Sequence, residues 1–180
     1  VCINSLYAYT EQISNYSSLL TSRLDIDTDN YEVRFFSDFY ISDNNSLDSY
    51  ETTTRLFTMI AGEEVDIMAG DSNAILRFAY SDCCKDLSSL LTQEELKEYE
   101  DYFLYIDMSL IENRDTNTGV FEYPNPSDPS SMIKPVPVII QIPPESIFAN
   151  TFYPKSSNGI SIAVAANSHN TENVQSFIEY

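Results

Sequence analysis

The sequence has one histidine, four glycines, three cysteines, and nine basic residues against 28 acidic ones. Each scarcity excludes something. With His169 alone and no Cys-x-x-Cys pair, a zinc site has no ligand set. The glycines never form Gly-x-Gly-x-x-Gly or a P-loop, so no phosphate cradle is recognisable. No Ser/His/Asp set has the spacing of a catalytic triad. A net charge of −19 repels nucleic acid and anionic membranes, and reads as solubility outside a cell. No apolar run approaches the length of a membrane span, and no signal peptide is present. The chain opens on Val1, and the expectation is that a leader or anchor has been trimmed from it.

An odd cysteine count gives no disulfide framework. Cys2 sits in the strand-like Val1-Cys2-Ile3, which favours a buried thiol over a lipid-bearing cysteine. Cys83 and Cys84 read as two reduced thiols at a helix end rather than a strained vicinal disulfide.

What is present is organised around Glu51 to Tyr80, which reads helix, turn, strand, turn, helix. Asp48-x-x-Glu51 resembles a capping box. Leu56 and Ile60 recur at helical spacing, widened by Phe57 and Met59. Gly62 is expected to end the helix in the left-handed conformation. Val65 to Ala69 is short and apolar, as a buried parallel strand should be. Gly70-Asp71-Ser72-Asn73 turns the chain into the next helix.

Before this unit, Val1 to Ser5 reads as a strand and Leu6 to Tyr9 as a loop. Thr10 caps a helix with Ile13, Tyr16, Leu20 and Leu24 on one face. Glu32 to Ile41 alternates as a second strand. The first 80 residues therefore read β-α-β-α-β-α, with a parallel sheet in the order 2-1-3.

After it, Leu87, Leu90 and Leu91 form a connector, and Thr92-x-x-Glu95 is a capping box. Leu96, Tyr99 and Phe103 give the next helix its buried face. Leu104 to Ile111 looks like a strand, Asn117-Thr118-Gly119 a turn, and Val120 to Tyr123 a returning hairpin strand. Pro124, Pro126, Pro129, Pro135 and Pro137 mark an extended loop, the best candidate for a functional flap. Val138 to Ile142 is a strand, and Pro143-Pro144 opens a short helix through Phe148. Ile160, Ile162 and Val164 belong to a final strand, and Asn170 caps a helix carrying Val174, Phe177 and Ile178.

Asp25, Asp27 and Asp29 have the alternate spacing of a calcium loop, but Phe36 stands where the closing glutamate belongs. A solvated Asp turn is the simpler reading. No tight metal site and no cofactor are expected. Glu94, Glu95, Glu98 and Glu100 lie on a polar helix face rather than forming catalytic pairs. Tyr99, Tyr102 and Tyr105 read as packing residues, while Tyr7 and Tyr123 lie in loops and are better pocket candidates.

Two stretches carry a family resemblance. Thr54-Arg55-Leu56-Phe57-Thr58-Met59-Ile60-Ala61-Gly62-Glu63-Glu64-Val65-Asp66-Ile67-Met68 resembles the helix, Gly and "VDI" strand of extracellular solute-binding proteins. Ile162 to Ile178 is similar to the late strand and helix of that family, with Thr171 where a Pro often sits. Leu87 to Tyr105 fits as well. The resemblance implies an α/β, three-layer, parallel-rich sheet of the type II periplasmic-binding-protein-like kind. At this length it implies a reduced second lobe: residues 1–82 as the α/β lobe, 83–158 as the reduced lobe and connections, and 159–180 returning to the first.

It also implies a non-catalytic, surface-tethered solute-binding domain, extracellular, with an ABC transporter or other surface protein as partner. An interaction or structural module that lost its ligand is the competing reading, and a hydrolase the third. The expected ligand site follows from sheet edges. Asn4, Ser5 and Tyr7 after the first strand would face Asp71, Ser72 and Asn73 after the third, with Tyr123 covering them. A neutral polar or cationic solute suits this set.

Overall fold

A computed structural model describes residues 1–5, 10–24, 26–41, 47–113, 123–154 and 160–178. In the first part of the chain, helix α1 is Thr10–Arg23 and α2 is Leu47–Ala61. Strand β1 (Ile67–Gly70) leads into α3 (Ser72–Ala79). Helix α4 is Gln93–Glu98, β2 is Phe103–Asp107 and α5 is Met108–Glu112. Strand β3 is Pro135–Ile142, α6 is Ile147–Phe152, β4 is Ile160–Val164 and α7 is Thr171–Ile178. The described strands form one four-stranded sheet in the order β1-β4-β3-β2, antiparallel at every pairing.

This corrects the expected parallel sheet. Of its three strands only the third forms, as β1, and it runs antiparallel to β4, with Ile67 opposite Val164 and Gly70 opposite Ser161. Among the described residues parallel pairing is confined to two single bridges, Cys2 with Ala69 and Ile3 with Phe39. Against the Phe36–Phe39 segment the pairing is out of step by one residue. The Cys2 N–H donates to the Phe36 carbonyl at 2.8 Å, and the Asn4 N–H to the Phe39 carbonyl at 2.7 Å. Two steps on one side face three on the other, as at a β-bulge, which disrupts the ladder locally. The three-layer, parallel-rich, type II periplasmic-binding-protein-like architecture falls with that sheet. Alternation reports which residues are buried, and it carries no strand direction.

Several local expectations also change. The residue in the left-handed region is Glu63, with φ 61, not Gly62. The Glu64 N–H donates to the Met59 carbonyl and the Glu63 N–H to the Ile60 carbonyl, which is a Schellman closure of α2. Asp48 lies inside the first turn of α2 rather than before it. The Thr92/Glu95 capping box forms as expected, but α4 ends at Glu98 and Phe103 already belongs to β2. The strand expected through Ile111 stops at Asp107, whose side chain accepts from the Ser109 N–H and starts α5.

The proline-rich stretch is not a free flap, because Pro135 and Pro137 are part of β3. They are tolerated because β4 reaches only Ile140–Ile142, leaving the front of β3 paired to β2 alone. Beside Pro137 the ladder shifts register between Leu104 and Tyr105, and the Tyr105 N–H donates instead to the Pro126 carbonyl. The short helix after Pro143-Pro144 is capped by Ser146 and runs to Phe152. The Leu6–Tyr9 loop, the 117–119 turn and most of the Val120–Tyr123 strand fall outside the described residues.

Each face of the sheet carries its own apolar cluster. Leu56, Met59 and Ile60 of α2 join Ala74, Ile75 and Phe78 of α3 over Met68, Val138 and Ala163. Tyr16 and Leu20 of α1 join Phe148 and Phe152 of α6 and Val174 of α7 over Ala69, Ile140, Ile162 and Val164. Every residue of β4 is buried, consistent with its inner position. Gly70 is needed for close approach: a Cβ there would stand 3.1 Å from both the Ile3 Cβ and the Ile3 carbonyl oxygen. Tyr153 adds a clamp, its hydroxyl lying 3.0 Å from the Ile3 carbonyl and 2.8 Å from that of Ala69.

Candidate functional site

The residues expected to bind a solute are mostly engaged in holding the fold. Asn4 and Ser5 do adjoin the end of β1, since Ile3 packs on Gly70. Both amide atoms of Asn4 are used on Ile41: Oδ1 accepts from its N–H at 2.8 Å, and Nδ2 donates to its carbonyl at 2.9 Å. Ser5 is buried, with its hydroxyl 3.4 Å from the carbonyls of Cys2 and Ser37. Asp71 is the N-cap of α3 and accepts from the Asn73 N–H at 2.9 Å. The Ser72 hydroxyl pairs with that of Ser161 at 2.7 Å. Asn73 is exposed.

Tyr123 lies elsewhere. It stacks on Tyr80 with ring centroids 4.0 Å apart, at the far end of α3 from Asp71. An eight-residue helix separates its ends by roughly 10–12 Å, so Tyr123 does not cover Asp71. Tyr7 lies outside the described residues.

The structure instead offers a cavity of about 450 Å³ beside the start of β1. None of the expected site residues among the described ones lines it. Its walls come from Leu20 of α1 and Leu24 just past its end, the extended segment Tyr31–Phe36, Glu64–Ile67 and Ala69, and Phe148, Val174 and Phe177. The sequence explains each wall. Leu24 follows the end of α1 and its N–H donates to the Leu20 carbonyl at 2.9 Å, which keeps the two side chains one turn apart. Val33 and Phe35 alternate toward the helices, and the Val33 carbonyl is held by the Ser17 hydroxyl at 2.8 Å. The alternation that suggests a strand in Glu32–Ile41 therefore records one wall of a cavity.

Glu32, Arg34, Glu64, Asp66 and Asn170 are the polar side chains of the cavity besides Tyr31, and hydrogen bonds hold Asp66 and Glu32. Asp66 accepts from the Ser168 hydroxyl at 2.6 Å, and the Asn170 amide donates to both its oxygens at 3.0 and 3.1 Å. Asn170 thus holds Asp66 through its amide N–H groups. Arg34 donates to Glu32 through Nε at 2.8 Å, and the two form an exposed ion pair. The Arg34 hydrogen bond holds the Glu32 carboxyl below its ordinary range. Cys2 is the sulfur on the wall. Burial pushes its thiol up to about 11, so it carries no thiolate near neutral pH. His169 is absent from the lining and pairs with Glu63 at 3.1 Å on the surface.

The remaining expectations have plain outcomes. Among the described residues no cluster of three or more His, Cys, Asp or Glu is placed to hold a metal. Asp27 accepts from the Asp29 N–H and the Asn30 amide, an ordinary Asx turn, and Asp25 is outside the described residues. Cys2, Cys83 and Cys84 are free and buried. No described helix is long and apolar enough to cross a membrane. Comparison with family models, with curated proteins and with solved structures returns no match.

Proposed function

We propose that this chain is a non-catalytic binding domain whose small-molecule ligand occupies the cavity between α1, the Tyr31–Phe36 segment, β1 and α7. The carrying observation is the cavity itself. At about 450 Å³ it falls within the 300–1,000 Å³ range of small-molecule pockets, and it has the usual make-up of apolar walls with polar groups among them. The absence of catalysis is supported by its lining, in which the one thiol is protonated and no imidazole takes part. The strongly acidic composition supports an extracytoplasmic setting, with a surface transporter or another surface protein as partner.

A thermal-shift screen of compact apolar-bodied solutes tests this. Binders should raise the melting temperature, and Val33→Trp, which enlarges a wall residue, should remove the shift. A screen in which Val33→Trp behaves like the parent protein for every hit would reject the cavity.

An interaction module without a small ligand is the second reading. It is favoured by the engagement of Asn4, Ser5 and Asp71 in structural hydrogen bonds. A screen without any hit would make it the better one.

A further inference from the structure

The cavity's charge and its rings narrow the ligand further, on the reading that the cavity is a binding site. Three carboxylates, Glu32, Glu64 and Asp66, share the lining with one guanidinium, Arg34. Arg34 is already paired to Glu32. Asp66 is the positioned member of the set. Ser168 is 2% exposed, and together with Asn170 it fixes the carboxylate against the wall. Oδ1 takes two hydrogen bonds and Oδ2 only one, which leaves Oδ2 an open lone pair. The lining stays net negative even if the Val1 nitrogen carries a charge.

The walls add Tyr31, Phe35, Phe36, Phe148 and Phe177. Aromatic faces attract organic cations and repel anions. The protein's net charge of −19 raises the local concentration of any cation and opposes any anion. We infer that the ligand is an organic monocation, an ammonium group on a flat apolar body, with the ammonium at Asp66 and the body among the rings. A fully hydrated metal ion would gain nothing from the apolar walls, and a neutral apolar molecule would leave the carboxylates unused.

Three matched indoles test this: tryptamine, its neutral analogue tryptophol, and the anionic indole-3-propionate. Isothermal titration should show tryptamine binding about tenfold tighter than tryptophol, the worth of one charge-assisted hydrogen bond. Indole-3-propionate should bind weakest of the three. Added salt should narrow the gap between tryptamine and tryptophol. Asp66→Asn should shrink the ratio of the two affinities. Glu64→Gln, a near-isosteric change on an exposed residue, should shrink it in the same direction if Asp66→Asn does not fold. Equal affinities for tryptamine and tryptophol, both abolished by Val33→Trp, would overturn the cation inference and leave the cavity reading standing. No binding of any indole would count against both.

Discussion

Asn4 and Ile41 are joined as two strand residues would be, but by a side chain. The Asn4 amide accepts from the Ile41 N–H at 2.8 Å and donates to the Ile41 carbonyl at 2.9 Å. Asn4 itself sits in the left-handed region, with φ 58, where asparagine is among the few residues tolerated. Asn4→Ala should therefore cost about 1–3 kcal/mol from the unsatisfied Ile41 groups, with added backbone strain. Asn4→Gly keeps the backbone at ease and removes only the hydrogen bonds. Urea titration of both variants separates the two effects. Equal stability of Asn4→Gly and the parent would show that the amide bonds contribute nothing.

That pair also shows why the site was hard to read. Asn4, Ser5 and Asp71 have the residue types of a ligand shell. The sequence does not reveal that Asn4 is already used by Ile41, Ser5 by the Cys2 and Ser37 carbonyls, and Asp71 by the α3 N-terminus. The helix-strand-helix unit around Glu51–Tyr80 was legible because its periods change at clear breaks. The partner of β1 was not, because β4 lies far along the chain and nothing local encodes that pairing. The cavity wall was present as the apolar pattern of Val33 and Phe35, which an extended segment shares with a true strand.

Glu63 offers a gain in stability. It closes α2 from a left-handed backbone that Gly adopts freely. Glu63→Gly should raise stability by about 0.5–1 kcal/mol. The His169 pair it loses is well exposed on both sides, and such pairs contribute little. Denaturant midpoints at two salt concentrations check both points. A destabilised variant would show that the Schellman turn needs the Glu63 side chain.

Leu56 is fully buried in the cluster of α2 and α3. Leu56→Ala should cost about 2–5 kcal/mol, the range for an emptied core site. A two-state urea titration giving less than about 1 kcal/mol would mean that the helix face repacks.

Tyr153 ties α6 to the first segment of the chain through one hydroxyl shared by Ile3 and Ala69. Burial raises the phenol well above its usual range, so it stays a donor across all ordinary pH. Tyr153→Phe keeps the ring among Phe148 and its neighbours and takes the hydroxyl donor from the Ile3 carbonyl, while the Ala69 carbonyl keeps the Ile3 N–H at 2.7 Å. The expected loss is about 1–3 kcal/mol. Amide hydrogen exchange at Ile3 and Ala69 should quicken more than at β3 if the clamp is local. Uniform quickening would show that the hydroxyl acts on global stability alone.

Asp107 should make stability depend on pH. It is 4% exposed and joins two segments: it accepts from the Ser109 N–H and hydroxyl at 3.0 and 2.7 Å, and from the Ile133 and Lys134 N–H groups at 2.9 and 3.0 Å. Burial alone would raise its affinity for a proton, but these hydrogen bonds outweigh it and hold the carboxyl below its ordinary value. The unfolded chain, with an ordinary Asp near 3.9, then takes up the proton first as pH falls. The stabilisation is complete above that value and is lost as pH drops through the lower folded one. Asp107→Asn should cost about 1–3 kcal/mol at pH 7, since one acceptor oxygen becomes a donor facing N–H groups. The gap between parent and variant should shrink as pH falls below about 4. Urea titrations at pH 7, 5 and 3 measure it. A gap that stays constant across that range would show that Asp107 is not ionised in the folded protein.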